Sequence, residues 1–360
     1  MIKNKKTLLL TGLTGFIGRH TARKICQTYD ISAIIRPSSE KSKYAEFEND
    51  IKIVKIDLSD REKLSAYLDS HSFDFILHIG ALRGGRKFNK NEYSRANVIA
   101  TELLLKNAIK NKSKFIFCSS VGVYGTIPKV LPADLYTPYQ EDNVYHKTKI
   151  QCEKIINKAV YEKKLDACII RPAITYGIND FGFPYTLTKL VAKRLLYLPQ
   201  KPIFIQLLNV DTLSEVFAKL LEKGFTSGKI WNVADKNEIC FQKLADFIYD
   251  RLMKHADVKG KKNMPKFSDL NAIPERLNEG AVSRHYPTKK FIKMRNFELF
   301  LKIAKLFKNE LWISRLELIS NSWYFDVSAI YEDLGIKSYN TIPDFGVVVD
   351  WYVNQKNNTQ

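Results

Sequence analysis

Three residues in the first half of the chain have the types and spacing for proton chemistry. Ser120 lies in CSSVGVYG (118–125), and Tyr145 and Lys149 lie in VYHKTK (144–149). Four residues apart on a helix, Tyr145 and Lys149 share one face, while Lys147 points elsewhere. A phenol ionises near pH 10 and is a poor base at neutral pH. An ammonium about 4 Å away, at an effective dielectric near 20, is worth about 4 kcal/mol, or roughly three pKa units. A cationic ring beside the pair would add to this, so the spacing predicts a tyrosine acting as general acid/base with Lys149 lowering its pKa. Ser120 follows an apolar strand, which puts it at the carboxyl edge of a sheet. Spacing alone does not decide the matter, because a Tyr and a Lys four apart occur on many surface helices. His146 reads as a surface residue.

A second constellation supplies the context. Thr-Gly-Leu-Thr-Gly-Phe-Ile-Gly (11–18) spaces Gly12, Gly15 and Gly18 three apart between an apolar strand and an apolar-periodic helix. Such a turn lets the backbone approach a pyrophosphate without a Cβ in the way, while the helix N-terminus offers free N–H groups. Thr14, Phe16 and Ile17 fall in the same turn, and dinucleotide binding is the expectation. After the next strand comes Arg36-Pro-Ser-Ser, with no acid before Glu40, which favours a ribose 2′-phosphate and hence NADP(H) within an NAD(P) assignment. The other reading, in which Arg36 points to solvent and either nucleotide binds, stays open. Asp57 and Leu58 after the third strand, and Gly80 and Ala81 after the fourth, lie where a cofactor crossing the strand ends would run. An Asp at a strand end is also an ordinary helix cap.

These residues need a scaffold, and the pattern provides one. Apolar runs at 7–11, 31–36, 51–57, 73–81, 114–120 and 166–172 alternate with helical segments such as 61–69, 92–110 and 145–163. Continuous β-branched runs between amphipathic helices imply a parallel sheet covered on both faces. After Gly177 the pattern changes. A helix at 209–223, a strand at 228–235 and a helix at 241–255 return to the first pattern, and 257–290 is loop-like and basic. The segment 297–309 is amphipathic, with Phe297, Phe300, Leu301, Ala304 and Phe307 near one face, and reads as core or lid ahead of an interfacial anchor.

With 360 residues, one elaborated α/β domain with an appended lobe is expected rather than three small domains. The excess of 57 Lys and Arg over 38 Asp and Glu gathers in 251–310, where an anionic ligand or membrane surface would be met. A Lys-rich proteome explains it equally well, and no zinc-finger, ribonucleoprotein or helix-turn-helix signature points to nucleic acid. Five cysteines without a Cys-x-x-Cys suggest neither a disulfide framework nor a metal site, and a reducing cytoplasm is expected. The basic then apolar N-terminus imitates a secretory leader, but its glycines and missing cleavage pattern read better as a strand entering a turn.

Taken together, the glycine turn, Ser120, Val-Tyr-Gly and Tyr-x-x-x-Lys resemble the extended short-chain dehydrogenase/reductases, the NAD-dependent epimerase/dehydratase group. His78-x-Gly-Ala81, Asn97 with Thr101, Arg171-Pro-x-x-x-Tyr-Gly177, Asn209-Val-Asp-Thr-Leu, Trp231-Asn-Val-Ala and Phe325-Asp-Val-Ser-Ala-Ile-Tyr-Glu-Asp-Leu-Gly335 extend the resemblance over nearly the whole chain. It implies a doubly wound Rossmann domain over 1–177 with 208–257 returning to it. A smaller substrate lobe would use 178–207 and 258–325, followed by a C-terminal helix region at 326–360. It also implies that Tyr145 moves the substrate hydroxyl proton, that Lys149 lowers its pKa and holds the nicotinamide ribose, and that Ser120 binds the substrate oxygen. Asn97 would support the active-site helix or a water, Pro172 would flank the cofactor, and helices 92–110 and 145–163 would form a homodimer.

The departures bear on substrate. Many nucleotide-sugar members carry an asparagine where this chain has Ile174, and an arginine where it has none between Lys201 and Asp211. The stretch 310–336 is closer to the 3β-hydroxysteroid dehydrogenase-like branch. Three functions follow. The first is hydride transfer between nicotinamide and a secondary alcohol or ketone of a sugar-like or lipid-like small molecule. The second is a nucleotide-sugar epimerase or 4,6-dehydratase, and the third a non-catalytic NADP-sensing module.

Overall fold

The protein is represented by a computed structural model that describes residues 5–83, 88–193, 196, 198–199, 201–257, 291–292, 299, 301–304, 306 and 310–357. Most of 258–310 lies outside these residues, including most of the amphipathic segment 297–309 and of the stretch 289–308, where a weak membrane-surface contact was one expectation.

Seven strands make the central sheet: β1 (Thr7–Thr11), β2 (Asp30–Ile35), β3 (Ile51–Lys55), β4 (Phe75–His78), β5 (Lys114–Cys118), β6 (Asp166–Pro172) and β7 (Ile230–Val233). All pairs are parallel, in the order β7-β6-β5-β4-β1-β2-β3. The alternation along each strand explains the continuous apolar runs. Leu8, Leu10, Ala33, Ile35 and Ile116 enter one core, whereas Leu9, Ile34, Ile76, Phe115 and Ile169 enter the other. Both faces are covered, so both registers must be apolar. This is the doubly wound Rossmann-like fold expected from the pattern.

Helices α1 (Phe16–Ile25), α6 (Phe183–Ala192), α7 (Val210–Lys223) and α8 (Phe241–Asp257) contribute to the first core. Helices α2 (Arg61–Asp69), α4 (Ala100–Asn111) and α5 (Val144–Tyr161) contribute to the second. The segment ahead of α4 was expected to be plain helix. Instead α3 (Lys90–Tyr93) runs into a π-helical stretch, Ser94–Ile99, before α4. Strand order reverses between β1 and β4, which opens a crevice at the carboxyl ends of the sheet.

Chain after β6 returns to the sheet through β7, whose Trp231 sits opposite Ile170 of β6. Trp323 is buried and bridges Phe204 and Gln206 through backbone hydrogen bonds of 2.9 and 3.1 Å. The C-terminal helix Gly346–Asn357 is tied to α8 by a bidentate Arg251–Asp350 pair at 2.7 and 2.5 Å, with a third contact from His255 at 2.8 Å.

Candidate active site

The glycine turn leaves β1 at the crevice. Gly12 takes φ +85°, and a Cβ there would lie 2.8 Å from the Gly80 nitrogen. A Cβ on Gly18 would lie 2.0 Å from the Gly12 carbonyl oxygen, so both positions require glycine. Gly15 is exposed and precedes α1, whose first turn has neither a side-chain cap nor an acidic residue. Its N–H groups and positive dipole end are therefore left for an anion. Thr14 Oγ1 accepts from Ser39 at 3.5 Å, Phe16 packs edge-on to His20 and beside Gly177, and Ile17 is half-buried.

Around this turn, Arg36 is exposed at the end of β2 and has no ion pair among the described residues. Asp57 is not the cap of α2. Its Oδ1 accepts from Ser59 N at 2.8 Å and Ser59 Oγ at 2.7 Å, and Asp60 caps the helix by accepting from Lys63 N at 3.1 Å. Leu58 and Thr11 both approach Gly80 closely, Ala81 is exposed, and Pro172 is buried at the end of β6. A backbone cradle that Cβ atoms would fill, ending on an uncapped helix, fits a dinucleotide.

The three expected acid/base residues converge at the carboxyl end of β5. Ser120 Oγ accepts the Gly122 N–H at 3.0 Å, and its hydroxyl stands near enough to the Tyr145 phenol to favour the ionised form. Lys149 is 3% exposed, and its Nζ donates to the Cys118 carbonyl at 2.7 Å. That Nζ also lies 4.6 Å from the Phe117 ring centroid and 6.0 Å from that of Tyr145.

The expected pKa effect is reversed. Burial pushes the half-buried Tyr145 phenol well above its ordinary value, with Ser120 and Arg83 opposing. Burial also lowers Lys149. Desolvation outweighs proximity here, and the lysine spends its hydrogen bond on β5 rather than on the phenol.

Asn97 sits in the π-helical stretch and acts as a clamp. Its Oδ1 accepts from Leu82 N at 2.7 Å, and its Nδ2 donates to Leu82 O and Thr148 Oγ1, both at 3.0 Å. Thr148 in turn donates to the Tyr145 carbonyl at 2.8 Å. The loop after β4 is thereby fixed to α5 at the tyrosine. This is support for the active-site helix rather than contact with reacting atoms.

Sequence reasoning passed over several neighbours. Glu153 is fully buried with Arg171, whose Nε and Nη2 donate at 3.0 and 2.6 Å. Ser119 donates to the same carboxylate at 2.5 Å and Tyr139 at 2.8 Å, while Arg171 also reaches Tyr124 at 2.6 Å. Glu153 lies four residues beyond Lys149, so the helical spacing that selected Tyr145 and Lys149 would have found it. His78 is buried between Thr11 at 2.7 Å and Thr101 at 3.0 Å, and burial lowers its pKa to about 3. Arg83 bridges to Asp180 at 3.2 Å across the crevice. His146 is not a surface residue. Its side chain is 14% exposed, pairs with Asp142 at 2.5 Å and packs on Gly122, because Gly122 has no Cβ to hold it off.

Among the described residues, no group of three or more His, Cys, Asp or Glu is placed to hold a metal ion, and no helix is long and apolar enough to cross a membrane.

Known proteins place this geometry. A model of the NAD dependent epimerase/dehydratase family matches residues 8–234. The chain is 30% identical over 189 residues to a decarboxylating sterol-4-alpha-carboxylate 3-dehydrogenase of Candida albicans, covering 50% of this chain and 53% of that protein. It is 30% identical over 195 residues to a UDP-glucose 4-epimerase of Cyamopsis tetragonoloba, covering 50% and 55%. It thus spans about half the length of these curated relatives. The structure of the Bordetella bronchiseptica enzyme WbmH in complex with NAD+ superposes with a TM-score of 0.69 at 14% identity, over 97% of this chain and 99% of that one, and shares the fold. With the glycine cradle, Ser120, Tyr145 and Lys149 at one crevice and the family match spanning them, the chain belongs to the NAD dependent epimerase/dehydratase family.

Proposed function

We propose that the protein transfers a hydride between an NAD(P) cofactor and the carbinol or ketone carbon of a secondary alcohol on a sugar-like or lipid-like small molecule. The observation that carries this reading is the meeting of Ser120, Tyr145 and Lys149 beside a glycine cradle on the same sheet edge. Nicotinamide, when bound, supplies the carbon that accepts or gives the hydride. Tyr145 takes or returns the hydroxyl proton, and Ser120 holds the substrate oxygen. Lys149, anchored on Cys118, keeps a cation beneath the phenol, where it would hold the ribose hydroxyls of a bound cofactor. Asn97 and the buried Glu153–Arg171 pair hold α5 in place.

Arg36, exposed and unpaired among the described residues, supports NADP(H) over NAD(H). A nucleotide-sugar substrate is the second reading. It is favoured by the epimerase relative and by the Arg83 guanidinium, which is exposed at the crevice and acts on Tyr145. Ile174 opposes it. Apolar Leu105, Ile109, Ile155 and Ala159 line a shallow groove on the outer side of α4 and α5, which supports a homodimer through these helices. All five cysteines are free and buried, in keeping with a reducing compartment such as the cytoplasm.

Thermal-shift screening separates the substrate readings. Stabilisation by UDP or dTDP, with none by a sterol or isoprenoid alcohol, selects the nucleotide sugar. The reverse pattern selects the lipid-like alcohol.

A further inference from the structure

Tyr145 is enclosed on the protein side, so a proton it takes must leave through another group. His146 and Asp142 stand where that group is needed. His146 Nδ1 lies 2.5 Å from Asp142 Oδ1. The Asp142 carboxyl is held below its ordinary range. Burial opposes ionisation there, but His146 and the Thr126 N–H, which donates to Oδ2 at 2.6 Å, outweigh it. Asn143 Nδ2 lies 2.8 Å from Nδ1 and also donates to Asp142 Oδ1 at 3.2 Å. An ionised carboxylate only accepts and its contact with the ring is the shorter, so Nδ1 carries the hydrogen, the Asn143 amide serves Asp142, and Nε2 presents a lone pair.

Nε2 faces Ser120. A Cβ placed on Gly122 would lie 2.4 Å from His146 Nε2 and 3.2 Å from Ser120 Oγ. The two polar atoms flank one point without bonding each other directly, which leaves a single water to join them. Ser120 already accepts the Gly122 N–H at 3.0 Å, which leaves its own hydrogen to donate. No hydrogen bond reaches Nε2 among the described residues. The ring is not needed as a helix cap, because Asn143 Oδ1 accepts the His146 N–H at 2.9 Å. The groups facing His146 are Asp142 and Asn143 from the preceding loop, Tyr145 with ring centroids 5.8 Å apart, and Ser120 and Gly122 from the turn after β5. Lys147 turns away to Glu141 at 3.3 Å.

We propose that the Asp142–His146 pair exchanges the Tyr145 proton with solvent through Ser120; this rests on the reading of Tyr145 as acid/base. During oxidation the carbinol C–H electron pair leaves as hydride to nicotinamide, and the substrate O–H breaks as its proton moves to the Tyr145 oxygen. The Tyr145 proton passes to Ser120 Oγ while the serine proton passes through a bridging water to His146 Nε2, and the imidazolium, stabilised by Asp142, releases it to solvent. Reduction runs the same steps backwards. Because one proton enters as another leaves, Tyr145 need not persist as a buried phenolate, the form that its surroundings disfavour most.

The test needs no substrate. The full chain, carrying 13C-labelled histidine and saturated with NAD+, is titrated by NMR, with the His146 Cε1 resonance assigned by its loss in His146→Gln. The relay predicts that Ser120→Ala and Tyr145→Phe each move the His146 midpoint by about half a pH unit or more, since the groups titrate as a coupled set. Asp142→Asn should move it in the acid direction, because it removes the charge that stabilises the imidazolium. A His146 curve identical in wild type, Ser120→Ala and Tyr145→Phe overturns the relay, whatever Asp142→Asn does. Turnover of Tyr145→Phe is read separately. An inactive Tyr145→Phe with an unresponsive His146 removes the relay and leaves the acid/base reading standing, whereas an active Tyr145→Phe removes that reading itself.

Discussion

Asp235, two residues past β7, is a buried carboxylate with no cationic partner among the described residues. Its Oδ1 accepts from Asn209 N at 2.9 Å, and its Oδ2 accepts from Tyr176 at 2.9 Å and Thr341 at 2.6 Å. These bonds tie the turn after β6, the start of α7 and the helix Thr341–Asp344 to one atom group. Burial pushes the Asp235 pKa up from 3.8 to about 6 despite them. A raised carboxyl pKa means that the folded state binds the proton more tightly than the unfolded one. The group therefore costs stability above about pH 6, and the cost is relieved as pH falls towards the unfolded pKa near 4. The full difference is about 3 kcal/mol, from about 1.4 kcal/mol per pKa unit. Between about pH 7.5 and about pH 5, linkage gives a gain of about 1.4 kcal/mol for wild type from this group. Asp235→Asn removes the titration while keeping the side-chain shape. Urea unfolding of both proteins at the two pH values yields a double difference in which all other carboxylates cancel. Wild type should gain about 1.4 kcal/mol more than Asp235→Asn on acidification. Equal gains in the two proteins, or a larger gain in the variant, would refute the placement of Asp235 as an uncompensated buried charge.

Other substitutions test the supports of the site. Glu153→Ala leaves the Arg171 guanidinium buried without its carboxylate and should cost about 3–5 kcal/mol in chemical denaturation, a large share of the ~5–15 kcal/mol typical of a whole domain. Gly12→Ala combines φ +85° with a Cβ 2.8 Å from the Gly80 nitrogen, and should weaken NAD+ binding at least about tenfold by calorimetry. Arg36→Ala should raise the Kd for NADPH about tenfold while changing that for NADH less than about twofold; equal effects on both would return the site to NAD alone.

The scaffold was readable because burial on both faces writes itself into the strands as unbroken apolar runs. Leu8, Leu9 and Leu10 enter two different cores yet obey one rule. The glycine turn was equally legible, since Gly12 and Gly18 answer to backbone clashes that no other residue relieves. What escaped were contacts made across the sequence. The Glu153–Arg171 pair joins α5 to β6: helical spacing puts Glu153 on the face of Lys149, but that its carboxylate is buried against a guanidinium from β6 is fixed only by the fold. His146 read as a surface residue because the motif assigns it no role, whereas Gly122, far off in sequence, makes the hollow that takes its ring. The pKa of Tyr145 failed for a related reason: spacing reports proximity to Lys149, but the sign of the shift depends on how much water the fold removes. The π-helical turn at Ser94–Ile99, which aims Asn97 at Leu82 and Thr148, has no compositional mark.

The most direct test of the account follows the near-ultraviolet absorbance of reduced nicotinamide with wild type and Tyr145→Phe, using nucleotide sugars and 3β-hydroxysterols as the panel, beside calorimetric NAD(P) binding. Wild type should turn over at least one of these secondary alcohols, and Tyr145→Phe should lose at least about a hundredfold in rate while its cofactor Kd stays within about twofold. Undiminished turnover by Tyr145→Phe would contradict the assignment of Tyr145 as the group that moves the substrate proton.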